Sequence, residues 1–211
     1  MDLPTIRTRV RRDLHDEDAQ NYRWTDAELD RHTQRAVTEV SVATPRELKA
    51  TLTTTANSRE LSLAALTDLL FVEAVEYPTG KYPPHYVRFS AWGGTLSLLV
   101  DGAPSGGESV WVFYGKIHTL DATSSTLPTH LEDLVATGAA AYAAIEWSSF
   151  ATNRVNVGGE DVWRRYLTWG QDQLASFLRR LSKLSIRHAV RARSLYSPTR
   201  PGPSLSTDWG P

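Results

Sequence analysis

Residues 8–37 read TRVRRDLHDEDAQNYRWTDAELDRHTQRAV, and this stretch decides how the chain begins to fold. Thr25 and Glu28 have capping-box spacing: the hydroxyl can accept the backbone N–H three residues on, and the carboxylate can reach back. A helix therefore starts sharply after Thr25. Leu29, Ala36, Val37 and Val40 recur on one face of it, and Pro45 stops it at or before Thr44. Upstream, Leu3, Ile6, Val10 and Leu14 mark an amphipathic helix over 3–14, with Asp2 as N-cap and Pro4 in its first turn. Arg7, Arg9, Arg11 and Arg12 lie largely off its apolar face. The acidic stretch 15–21 reads as the loop of a helical hairpin.

Working outward, the period changes between about 50 and 117. Stretches 71–77, 86–92, 96–100 and 110–116 are short, rich in β-branched and aromatic residues, and separated by turn chemistry. Gly93-Gly94 suits a two-residue hairpin turn, because both central positions can take positive φ. Residues 101–108, DGAPSGGE, read as a longer hairpin loop, and Pro83-Pro84 demands an extended connection. Helices return at Pro128 or Thr129, where Thr129 and Glu132 repeat the capping-box spacing. Residues 136–144 are dense in Ala and Gly and predict backbone-close packing. A fourth helix over 160–184 carries Trp163, Tyr166, Leu167, Gly170, Leu174, Phe177, Leu178, Leu181 and Leu184 on one stripe, roughly 35 Å long. Pro198, Pro201, Pro203 and Pro211 exclude regular structure from 194–211, which reads as either a disordered tail or an extended arm that orders on a partner, with Tyr196, Leu205 and Trp209 favouring the arm.

The expected fold is α+β and mainly helical: a four-helix bundle with an inserted small antiparallel β domain and an extended C-terminal arm. Its parts are a helical hairpin at 1–49, the β insertion at 50–121, two further helices at 122–193 and the arm at 194–211.

The 211 residues, with 41% hydrophobic content and 22% charged, suffice for a packed core. With no cysteine there is no disulfide framework and no thiolate metal site. No apolar run approaches the ~18 residues of a membrane helix, and the charged opening MDLPTIRTRVRRDLHDEDA has no signal-peptide core. Charge is unevenly spread: residues 1–160 hold 14 Lys/Arg against 21 Asp/Glu, and residues 161–211 hold 9 against 3. A basic end on an acidic body implies that the two meet different partners, or that one end meets copies of the other.

Catalytic and cofactor chemistry finds no anchor. The histidines at 15, 32, 85, 118, 130 and 188 include no zinc-helix pair, and there is no Gly-x-Ser-x-Gly elbow. The glycine-rich loop 102–107 lacks the Gly-Lys-Ser/Thr ending and precedes a strand, so it is no phosphate cradle. The pairs Glu132-Asp133 and Glu160-Asp161 stand at helix starts, where they complement the macrodipole. No enzyme, metal or cofactor is expected. The basic set Arg179, Arg180, Lys183, Arg187, Arg191 and Arg193 has three readings: a solvated helix face, a surface pairing with acidic groups on a neighbouring subunit or partner, or a contact with DNA phosphates. Trp24, Trp92, Trp111, Trp147, Trp163 and Trp169 are read as mostly core, and Trp209 as an interface anchor.

The stretch 8–37 resembles the N-terminal helical hairpin of tailed-bacteriophage head–tail adaptor (connector) proteins. These typically carry Arg-x-x-Leu-x-Asp and then Tyr/Trp-Ser/Thr-Asp-x-Glu-Leu, here Trp24-Thr25-Asp26-Ala27-Glu28-Leu29. The strings VEAVEYPTGKYPPHYVRFSAWGGTLSLL (72–99), VWVFYGKIHTLD (110–121) and LPTHLEDLVATGAAAYAA (127–144) are similar to the β insertion and following helix of the same group, so the resemblance spans about 3–185.

The resemblance implies a structural virion protein of the neck, assembled in the host cytoplasm, with no catalytic residue to carry over. It implies a homo-oligomeric ring, commonly of twelve copies, beneath the portal protein. The ring would extend the DNA exit channel, pass genomic DNA without reading its sequence, and receive the tail or nozzle and stopper proteins. Partner contacts would fall on Arg187, Arg191, Arg193, Tyr196, Arg200 and Trp209. The alternative is a DNA-binding protein using the basic C-terminal helix.

Overall fold

The computed structural model describes residues 1–151 and 161–190. It is an α+β fold of four helices and two small sheets: α1 (Leu3–Asp13), α2 (Asp26–Ala43), β1 (Arg46–Thr53), β2 (Glu60–Ser62), β3 (Leu69–Glu76), β4 (Tyr86–Val87), β5 (Phe89–Trp92), β6 (Thr95–Leu98), β7 (Ser109–Lys116), α3 (Thr129–Ala151) and α4 (Val162–Val190). One sheet has the order β1-β7-β3-β4 and the other β2-β6-β5. Contacts group the described residues into two compact units. The first is 1–48, 66–71 and 114–190; the second is 49–65 and 72–113.

In the first unit the helix ends form as their sequence directs. Asp2 caps α1 by accepting the Thr5 N–H at 3.1 Å. At α2 both arms of the capping box are present: Thr25 N–H donates to Glu28 at 2.7 Å and Glu28 N–H to the Thr25 hydroxyl at 3.3 Å. Between these helices Arg11 is buried, with its guanidinium held by partners from both helices and the turn. It donates to Asp16 at 2.6 Å, to Asp26 at 2.7 Å and to the Trp24 carbonyl at 3.0 Å, and it stacks 3.6 Å from the Tyr22 ring centroid. Asp16, also buried, accepts the Arg23 N–H at 2.7 Å with its other oxygen. Arg7 adds a fork onto Asp30, at 2.9 and 2.7 Å, and reaches Asp26 at 2.6 Å. Arg11, Leu14 and Asp16 thus realise an Arg-x-x-Leu-x-Asp stretch, with Leu14 in the core.

α3 packs against α1, α2 and α4. A helix touched on several sides needs small residues all round, and Ala136, Ala139, Ala140, Ala141, Ala143 and Ala144 are all buried. The approach of α4 is closest at two glycines. A Cβ at Gly138 would lie 2.8 Å from the Phe177 ring, and one at Gly170 would lie 2.9 Å from Ile145. Trp24 inserts from the hairpin, donating its indole N–H to the Ala143 carbonyl at 3.2 Å and meeting Tyr166 of α4 edge-on at 5.9 Å.

In the second unit Leu61, Leu96 and Leu98 fill one face of the β2-β6-β5 sheet. Gly93 and Gly94 take φ of 57° and 80°, the two positive values that the hairpin turn requires. The glycine-rich loop, expected as a hairpin loop, instead links strands of different sheets, β6 and β7, and is pinned to the segment after β1. Gly107 N–H donates to the Thr54 carbonyl at 3.0 Å, Asn57 N–H to the Pro104 carbonyl at 3.1 Å, and Arg59 holds the Val100 and Asp101 carbonyls at 2.9 and 2.6 Å.

Several expectations need correction. β1 and β2 are absent from the sequence reading, because Arg46, Lys49 and Glu60 hide their alternation. The strand read over 86–92 is split at Arg88, its halves pairing with β3 and β6 respectively. Thr129 is the first residue of α3 rather than its N-cap, and Glu132, in the first turn as the dipole reading expected, is buried with its carboxylate 2.5 Å from the Met1 amine. α4 runs on to Val190, and Leu178, read on its buried stripe, is 49% exposed. Trp92 is 88% exposed, because the residue before a two-residue turn has no facing layer. Trp111, Trp147, Trp163 and Trp169 are half-buried, and Trp24 is buried.

Two substitutions test this packing. Arg11→Leu leaves Asp16 buried without its cation and should cost about 3–5 kcal/mol in urea unfolding. Gly138→Ala gains about 1 kcal/mol of helix propensity but forces a methyl onto the fixed Phe177 ring, an overpacking cost of about 1–3 kcal/mol; a net loss of stability is expected.

Candidate interaction surfaces

Three places in the first unit combine charge, exposure and shape. The first is the outer face of α4. Arg179, Lys183 and Arg187 are exposed there and form no ion pair among the described residues, whereas Arg180 approaches Asp133 of α3 at 3.8 Å. Beside them Leu178 and Ile186 are exposed, Ile186 by 60%. The end of the helix is tied down by His188, whose Nε2 lies 2.9 Å from Glu47 and whose ring meets Phe71 at 6.4 Å. That anchor, with Arg187 and His188 favouring the negative helix end, carries α4 past the last apolar position of its stripe. The apolar stripe read from the sequence ends at Leu184, six residues before the helix does. Of the six partner-binding residues expected, Arg187 lies on this face; Arg191, Arg193, Tyr196, Arg200 and Trp209 lie outside the described residues.

The second place is the turn after α1, where Asp13, Glu17 and Asp18 are exposed. Packing around its carboxyl and the nearby Asp133 charge hold Asp13 above the usual aspartate range, against Arg12, Arg9 and His15. Hydrogen bonds from the Asn21 side chain and the Gln20 N–H hold Asp18 below it. Asp13 and Leu14 line a cavity of about 200 Å3 with Arg165, Tyr166 and Trp169 of α4.

The third is a cavity of about 260 Å3 lined by Arg23, Trp24, Glu28, His32, Glu146, Trp147 and Phe150. His32 is buried, with Nε2 3.1 Å from a Glu146 oxygen that Arg31 also holds. Burial pushes the imidazole below the ordinary histidine range, and the Glu146 charge opposes it. Among the described residues the hydroxyl lining this cavity is that of Thr25, which is engaged in the capping box. Elsewhere Tyr142, pushed up to about 12 by burial and by its hydrogen bond to Glu39, donates to that carboxylate at 2.7 Å. The two ring nitrogens of His118 lie 2.9 and 3.1 Å from the Thr126 and Thr44 carbonyls. Among the described residues no cluster of three or more His, Asp or Glu could hold a metal, and no helix is long and apolar enough to cross a membrane. In the second unit the exposed aromatics are Trp92 and Tyr82, the latter 98% exposed.

Neither a protein-family model nor a curated protein matches the chain. Among solved structures it is similar to a chain in the neck of an empty GTA particle computed with C6 symmetry, at 15% identity and a TM-score of 0.30, covering 80% of this chain and 88% of that one.

The depressed His32 predicts a pH dependence of stability. The unfolded chain takes up a proton near pH 6.5 while the folded chain resists it. Stability contributed by the neutral ring is therefore full above about 6.5 and falls as pH drops below that value towards the folded-state pKa. In thermal melts across this range, the wild type should lose more stability than His32→Gln; equal losses would refute the assignment.

Proposed function

We propose that this chain is a non-enzymatic structural protein of a tailed-phage-type neck: a head–tail adaptor whose copies form a ring beneath the portal, extending the DNA channel and providing the tail attachment site. One observation carries the reading. The two short strings that resemble the adaptor hairpin act as a single physical unit here: Arg11 binds Asp16 and Asp26, Leu14 and Leu29 are buried, and Thr25 and Glu28 cap α2. A resemblance confined to surface residues would have no such reason to hold together. The four helices, read as a bundle, then present their outer faces to neighbours.

In this reading the basic end of α4 at Arg187, with Arg191, Arg193, Tyr196, Arg200 and Trp209 beyond it, meets the portal or a neighbouring subunit. The β unit offers exposed Trp92 and Tyr82 to tail, nozzle or stopper proteins. Twelve copies is the expected number. The protein would assemble in the host cytoplasm and remain in the virion neck. A second reading rests on exposed Arg179, Lys183 and Arg187: a helix face that binds DNA phosphates. A conduit gains little from such grip, because the DNA must slide.

The test is electron cryomicroscopy of the chain mixed with the portal protein of the same particle, beside the chain alone. A ring seated on the portal is expected, with residues 194–211 running against portal or neighbour. A persistent monomer that ignores the portal would overturn the reading. Gel shifts with duplex DNA decide the alternative, which requires affinity that falls steeply with salt.

A further inference from the structure

α4 carries two parallel columns at helical i, i+4 spacing. One is Leu178, Ser182 and Ile186; the other is Arg179, Lys183 and Arg187. All six residues are exposed, so an apolar ridge and a basic ridge lie side by side on the outer face. A surface of this kind suits a partner that is acidic and partly apolar. The turn after α1 has that character: Asp13, Glu17 and Asp18 are exposed, and Tyr22 is 46% exposed beside them. Arg12 reaches Glu17 only at 3.6 Å with both side chains in solvent, a pairing worth little.

Within one chain the two patches lie apart, the columns starting about 18 Å along α4 from Tyr166. The Leu14 carbonyl, at the start of the acidic turn, accepts the Tyr166 hydroxyl at 3.3 Å. Arg187 lies about 30 Å further along α4 from Tyr166 at 1.5 Å per residue. Each copy therefore presents both halves of a contact that a second copy completes.

We infer that the acidic turn of one copy docks on the apolar and basic columns of α4 of the next. The patches differ, so the contact is heterologous: it propagates head to tail and closes into a ring when the rotation between copies permits. A net charge of -1 means that whole copies scarcely repel each other, leaving local complementarity to set the register. The inference rests on the adaptor reading for its setting and on these two patches for its chemistry.

The chain has no cysteine, which makes crosslinking clean. The full chain carrying Glu17→Cys together with Arg187→Cys should, on oxidation, give a ladder of dimers, trimers and larger covalent species on a non-reducing gel. The ladder should fade at about 0.5 M salt, where screening shortens to a few ångströms. Either single variant should stop at traces of dimer. A double variant that is folded by circular dichroism yet gives no ladder, or stops at a dimer as a two-fold contact would, overturns the inference. As an independent check, Asp18→Lys and Lys183→Glu should each lose self-association and regain it when mixed; no recovery would also count against the contact. If the wild type forms a ring on the portal without any ladder, these patches are wrong and the adaptor reading stands. If a ladder forms and no portal complex does, the contact stands and the adaptor reading falls.

Discussion

The guanidinium of Arg11 sits where a charge is expensive, and the start of the chain is arranged around keeping it satisfied. Removing such a group from water costs several kcal/mol unless its donors and its charge are met. Asp16, Asp26 and the Trp24 carbonyl take the donors, and the Tyr22 ring covers the flat face. These partners come from the end of α1, the turn and the start of α2, so satisfying one side chain closes the hairpin. A buried ion pair is poor evidence for net stability against an apolar substitute. What it supplies here is position: with Arg11 satisfied, Trp24 is delivered against Ala143 and Tyr166.

From that insertion the rest of the first unit follows. α3 receives neighbours on several sides and must be thin, which its alanines and Gly138 allow. Close approach then lets the long α4 bury Phe177 and Leu181 on its inner side while its outer side keeps Arg179, Lys183, Arg187, Leu178 and Ile186. The inner side of α4 is thus committed to the core, and its outer side keeps charged and apolar groups together in solvent.

The second unit follows the same economy. Its loop of small residues is tied by backbone hydrogen bonds to Thr54 and Asn57, and its hairpin carries Trp92 outward, exposed among the described residues. An aromatic side chain so exposed is a cost in a lone molecule and an asset at an interface.

Much of the fold was legible in short range. The caps at Asp2 and Thr25, the stop at Pro45, the Gly93-Gly94 turn and the helical stripes are local codes, each set by steric and hydrogen-bonding rules that act within a few residues. The basic face of α4 was legible for the same reason, since helical spacing places Arg179, Lys183 and Arg187 in a column. What the sequence could not reveal was which side chains a second layer would cover. Trp92 and Leu178 have the chemistry of core residues yet stand in solvent, while Glu132, His32 and Arg11 have the chemistry of surface residues yet are buried against Met1, Glu146 and Asp16 respectively. β1 and β2 escaped because a strand's identity lies in its pairing, and charged alternation conceals it. Local sequence by itself determined where each of the helices and the main hairpin begins and turns. Only the tertiary structure decided burial, because burial is a property of what packs over a residue, and that neighbour is usually far away in the chain.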